Sequence, residues 1–204
     1  MRTSNIKLSK SPVFRIKLGS GFLLLFALIF FFDDDGFLAA LLPAVLMHEM
    51  GHVLVMLFFG ARPLRLNATL SGLEIDYSGS ISEKQELATA LGGPIVGLLF
   101  SFLCSRLGRG WGSDYLMMCA GLGFVLNAFN LLPALPLDGG RALGIVLRFL
   151  LSEDKASSLL RAISLYTALT VTAFGLYLTA RGFGFALFLA GIWLFISQTN
   201  KSCK

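Results

Sequence analysis

The sequence predicts an all-α integral membrane protein, with about six membrane-spanning helices and one short β-hairpin between the second and third. Three observations predict it. Hydrophobic residues make up 55% of the 204-residue chain and charged residues only 14%, where a soluble domain of this length carries about 25% charge. Mean hydropathy is +0.76. Apolar runs of roughly 17 to 25 residues recur along the chain, each able to span a hydrocarbon core about 30 Å thick. The prediction is a single membrane domain over residues 1–204, with no separate soluble one.

The first run, at about 16–32, follows a basic flank and so resembles a signal peptide. It has no small-x-small cleavage site and runs into Asp33, Asp34 and Asp35, so it is read as a retained span. The second run, at about 37–60, carries "LMHEMGHVL" near its centre. Next comes "LRLNATLSGLEIDYSG", whose period-two alternation around Ser71 and Gly72 predicts the β-hairpin. A third span follows at about 87–107 and a short turn at "GRGWGSD". The fourth starts near Tyr115 and meets the interruption "NLLPALPLDGG", beyond which a short apolar helix reaches about Leu151. Spans five and six fit near 159–180 and 183–197.

Charge orients the spans. Arg2, Lys7, Lys10, Arg15 and Lys17 place the amino terminus in the cytoplasm, and Lys201 and Lys204 place the carboxyl terminus there too. Arg62, Arg65, Lys155 and Arg161 also fall inside, against Arg106, Arg109 and Arg181 outside. The net charge of +5 and pI near 9.3 therefore reflect a lipid bilayer partner rather than nucleic acid. Cys104, Cys119 and Cys203 form no CxxC pattern and read as small buried or tail thiols, without redox chemistry or cysteine-ligated metal.

The chain has two histidines, and both lie with a glutamate inside the second apolar run. Ionisable groups at that depth need a compensating partner. His48 and His52 are four residues apart, so a helix stacks them on one face, with Cβ atoms about 5 to 6 Å apart. Two imidazole nitrogens can then reach one Zn²⁺ at about 2.0 to 2.1 Å. Glu49 lies on the same turn, placed to act as a base, so "HEMGH" fits the HExxH pattern of two ligands and a general base. A catalytic zinc usually takes a third protein ligand. The other acidic residues fall in loops or at span ends, leaving Asp138. Around it, Pro133 and Pro136 break the helix and are expected to free the carbonyls of Phe129 and Leu132, while Gly139 and Gly140 allow close backbone approach. Asp138 could equally cap the short helix that follows, and one carboxylate could do both.

These residues resemble the site-2 protease family of intramembrane zinc metalloproteases, which pairs HExxH in one membrane helix with an Asn/Pro-rich LDG motif in another. Here the second motif is Asn130, Pro133, Pro136, Leu137, Asp138 and Gly139, with the NxxPxxPxD spacing of the stage IV sporulation protease branch. The resemblance covers a three-helix catalytic core at about 37–151. It implies one zinc per chain, held by His48, His52 and Asp138, with Glu49 as general base. It also implies that Asn130, with Pro133 and Pro136, faces the substrate, and that Asn130 positions it or stabilises an oxyanion. "LGGPIVG", Leu91 to Gly97, resembles the small-Gly-Pro segment of the family's middle core helix, although small residues in a span also simply permit close packing. No PDZ or CBS domain is expected, unlike many relatives. The implied setting is a bacterial cell membrane, and the implied partner a membrane-anchored protein substrate of the anti-sigma or pro-sigma factor type.

Other classes compete. A zinc transporter or store would use the same ligands transiently, but spans five and six offer few polar side chains beyond Ser164, Thr167, Thr170, Thr172 and Tyr177. An inactive substrate-binding relative would have no reason to keep Glu49. The zinc proteases that process prenylated proteins would need a glutamate deep in a later span, and none is present.

Overall fold

The computed structural model describes residues 15–18, 36–69, 72–78, 82–182 and 184–200. Among them are six helices: α1 Phe37–Phe58, α2 Glu83–Trp111, α3 Asp114–Asn130, α4 Asp138–Leu150, α5 Glu153–Ala180 and α6 Ala186–Asn200. Three strands, β1 Arg15–Leu18, β2 Arg62–Thr69 and β3 Gly72–Ser78, form one sheet in the order β1-β2-β3. β1 runs parallel to β2, with Arg15 opposite Arg65. β2 and β3 are antiparallel, with Arg62 opposite Ser78 and Thr69 opposite Gly72. Their register shifts between Pro63 and Arg65, where proline has no N–H to give the ladder.

Three helices, α1, α2 and α5, are long and apolar enough to cross a membrane. The sequence suggests about six spans, so the count among the described residues is smaller. α3 has 17 residues, a rise of about 26 Å, and α4 has 13. The apolar part of α6 is Ala186–Gln198. Ile16 to Leu18, expected to open the first span, belong to β1, and the remainder of that run lies outside the described residues. The count falls because α3 and α6 are shorter than the roughly 17 to 25 residues of a span or at its lower limit, and most of the first run lies outside the described residues. Hydropathy also undercounts helix length, since α5 begins with the polar residues Glu153, Asp154 and Lys155.

Two clusters organise the packing. Ala40 of α1, Cys104 of α2, and Cys119 and Ala120 of α3 form the first, with both thiols free. About three turns further along α1, its backbone touches that of α2, because a Cβ on Gly51 would strike Gly92 and Gly93. Small residues allow such contact, which is how helices associate when lipid tails match the side chains in polarity. The second cluster joins Leu137, Ala168 of α5 and Leu194 of α6. It seats residues 131–137 beneath the last two helices. In that segment the Leu135 N–H donates to Ser164 Oγ at 3.2 Å, and Gln198 Nε2 donates to the Leu135 carbonyl.

The ends of the elements follow their sequence. α2 opens with a reciprocal capping box between Ser82 and Gln85, and closes on Gly112, whose φ of 64° suits glycine. The outer face of α1 presents Leu42, Leu46, Met50, Leu54 and Leu57. Its inner face carries Ala40, Ala44, His48, Gly51, His52 and Met56. The histidines therefore point into the bundle.

Candidate metal centre

α1 places His48 and His52 one turn apart on its buried face, and α4 brings Asp138 to them from the far side of the proline segment. His48 is 4% exposed, His52 7% and Asp138 8%. Asp138 Oδ2 lies 3.2 Å from His48 Nε2 and 3.2 Å from His52 Nε2, and the two Nε2 atoms are 3.3 Å apart. The other carboxylate oxygen is 4.0 Å from Arg141 Nη1. Asp138 makes no helix cap here, because Leu137 holds the N-cap position and no side chain bonds the first turn.

Both histidines are held in the same tautomer. His52 Nδ1–H donates to the Thr89 carbonyl at 2.8 Å, and a carbonyl can only accept. His48 Nδ1 lies 2.8 Å from Asn127 Oδ1. The amide of Asn127 is oriented by its own Nδ2, which donates to the Gly123 carbonyl at 2.6 Å, so its oxygen faces His48 and Nδ1–H must be the donor. With both protons on Nδ1, both Nε2 lone pairs face the carboxylate oxygen.

This arrangement is a test of whether a metal fits. With both rings neutral, three lone-pair donors point at one place, and a single proton could bridge only one pair. A cation at their centre satisfies all three. Four ligands placed tetrahedrally about 2.0 to 2.1 Å from a zinc ion are about 3.3 Å from one another, and the three observed separations are 3.2, 3.2 and 3.3 Å. His48, His52 and Asp138 are the acidic and imidazole groups whose ligand atoms gather in this way among the described residues. A His₂Asp set leaves one tetrahedral position open.

The other expected residues are placed as follows. Glu49 is half-buried, next to His48 and about 100° around the helix from it. It interacts electrostatically with His48, His52, Asp138 and Arg141. Asn130 ends α3 and donates its Nδ2 back to the Leu126 carbonyl at 3.1 Å. Pro133 and Pro136 are half-buried in the segment before α4. The carbonyls expected to be freed there are occupied: Phe129 accepts from the Leu132 N–H at 3.1 Å, and Leu132 from the Ala134 N–H at 2.8 Å. Tight turns replace the helical partners that proline removes. The residues whose contact with the site the motifs do not reveal are Asn127 and Thr89. The only hint of the first is an amide buried in an otherwise apolar helix, and a backbone carbonyl leaves no sequence signal.

The middle helix is shaped to this centre. A Cβ on Gly93 would strike the His52 ring, and one on Gly97 would strike the Asn127 amide. The glycines of "LGGPIVG" thus make room for particular side chains as well as for a neighbouring helix.

The fold superimposes on the solved structure of a site-2 protease from Methanocaldococcus jannaschii. The TM-score is 0.70 over 97% of this chain and 94% of that one, at 24% identity. The chain has the fold of a site-2 protease. At that identity the likeness is one of fold alone. In sequence the chain is 27% identical over 141 residues to a curated protein named zinc metalloprotease, from the same organism. That alignment takes in 67% of this chain but only 41% of the length of the relative. No protein-family model matches the chain.

Proposed function

We propose that this protein is an intramembrane zinc metalloprotease that hydrolyses peptide bonds in or near the membrane-spanning segments of membrane-anchored proteins. The observation that carries the reading is the convergence of His48 Nε2, His52 Nε2 and Asp138 Oδ2 at 3.2 to 3.3 Å. One zinc per chain would be held by those three atoms. Zinc bound there would polarise the scissile carbonyl and bring the pKa of water toward about 7. Glu49 takes the proton of the attacking water and returns it to the leaving amine.

A peptide bond inside a membrane helix is shielded, so the substrate must unwind before it is cut. β3 is an edge strand of the sheet among the described residues, and an unwound segment adding to it would exchange its helical hydrogen bonds for ladder ones. Asn130 uses one N–H on Leu126, and its second N–H would position the substrate or an oxyanion, with Pro133 and Pro136 shaping the approach. Positive-inside asymmetry supports both termini in the cytoplasm, with the site opening to that side, and the family resemblance supports a bacterial cell membrane as the setting. Membrane-anchored regulators of the anti-sigma or pro-sigma factor type are the substrates this reading favours.

The test uses the full chain reconstituted in lipid vesicles with a single-span substrate, comparing wild type with Glu49→Gln. The variant should keep its zinc and lose about 10²- to 10⁴-fold in cleavage rate. Cleavage undiminished in the variant overturns the mechanism. Zinc flux across the vesicle wall in both proteins, without cleavage in either, would favour a zinc carrier.

A further inference from the structure

Asn127 has the least solvent access of any polar residue near the centre, at 0% exposed, and it touches none of the atoms that would hold the metal directly. Its amide is held on three sides. Nδ2 donates to Gly123 on its own helix, Oδ1 accepts from His48 on α1, and the Gly97 backbone of α2 closes over it so tightly that a Cβ would not fit. Three helices thus fix one amide, and that amide fixes one imidazole.

We propose that Asn127 is a positioning residue, which locks His48 in the Nδ1–H tautomer and turns its Nε2 lone pair toward the metal, with Gly97 keeping the space its amide needs. The proposal rests on the metal-centre reading above. An imidazole with its proton on Nε2 cannot ligate through that atom, and an unbonded ring is free to rotate away. An acceptor on Nδ1–H prevents both and makes Nε2 a stronger donor. Asn127 is oriented by Gly123 and so can offer only oxygen.

Two substitutions separate this role from simple packing. Asn127→Leu keeps the number of side-chain heavy atoms and the branch at Cγ, and removes the acceptor. Asn127→Asp keeps an oxygen opposite Nδ1–H but puts a carboxyl group in an apolar helix. The readout is the zinc dissociation constant of the purified full chain in detergent, measured by competition with a chromogenic chelator, with no cleavage step. Asn127→Leu should weaken zinc binding about 10- to 100-fold, and Asn127→Asp should bind zinc at least as tightly as wild type.

Packing alone predicts weakening in both variants, because leucine is bulkier against Gly97 and aspartate puts a carboxyl group in an apolar helix. Equal affinity for wild type and Asn127→Leu overturns the proposal, as does equal weakening in both variants. If Asn127→Leu does not fold, Asn127→Asp decides alone: retained affinity supports the proposal and lost affinity overturns it. Gly97→Ala should weaken binding in the same direction, and adding it to Asn127→Leu should cause little further loss, since both act through one amide. Additive losses overturn the shared route. A wild-type chain that binds no zinc sinks the metal-centre reading and this proposal together, whereas zinc binding indifferent to Asn127 sinks this proposal alone.

Discussion

Replacing Gly93 with alanine should cripple the metal centre from a helix that supplies none of its ligands. A Cβ built at Gly93 lies 2.6 Å from His52 Cε1 and 2.7 Å from His52 Cδ2, and closer still to Nε2. Restoring ordinary contact at about 3.5 Å means moving the ring by about 1 Å or more. The backbone cannot retreat instead, because Gly51 of α1 already lies against Gly92 and Gly93. The ring cannot tilt freely either, since Nδ1–H is tied to the Thr89 carbonyl on the same helix as Gly93. Most of the strain therefore falls on His52 Nε2, where a misplacement near 1 Å is worth about 10²-fold in function. The expected result is a loss of about two orders of magnitude in zinc affinity, with cleavage falling in parallel. The control is Gly110→Ala on the same helix, where an added Cβ meets nothing within 4 Å. There alanine should leave zinc binding unchanged and add up to about 1 kcal/mol of stability through helix propensity. Wild-type zinc affinity in Gly93→Ala would refute the reasoning, because it would mean that the fit between α2 and His52 has slack that this packing denies.

Two further perturbations probe what holds the ligand-bearing segment in place. Ser164→Ala removes the hydroxyl that accepts from the Leu135 N–H. It should lower stability in detergent by about 1 kcal/mol and weaken zinc binding, since the same segment carries Asp138; an unchanged denaturation midpoint would show that α5 does not support it. Arg148→Ala breaks the contacts to Glu83 at 3.3 Å and Glu86 at 3.8 Å, which tie the end of α4 to the start of α2. With Arg148 37% and Glu83 50% exposed at the side chain, the loss should stay within about 1 kcal/mol, and a much larger fall in thermal stability would contradict that.

Local chemistry made part of this protein legible. The helical period alone puts His48 and His52 on one face, and the cost of an ionisable group in an apolar span singles out the same residues. Pro133 and Pro136 announce a break, and the break does separate α3 from α4. The span count was less legible, because hydropathy measures the polarity of a run and not where its helix begins and ends. Strand β1 shows the same limit: its four residues pair with β2, far along the chain, and nothing in Arg15 to Leu18 names that partner.

By itself the sequence determined which side chains can bind a metal and which can share a helix face, since both depend on residue type and on spacing within one element. Only the tertiary structure decided that Asp138 meets the two imidazoles. It also decided that Asn127, rather than Asn130 three residues on, accepts the hydrogen bond of His48 Nδ1–H, and that Gly93 and Gly97 lie beneath His52 and Asn127. Each of these depends on how far one helix is turned and slid against another. Asn127 and Asn130 differ by only about 60° around α3, and no local pattern fixes a rotation of that size. The packing of three backbones at glycine contact does.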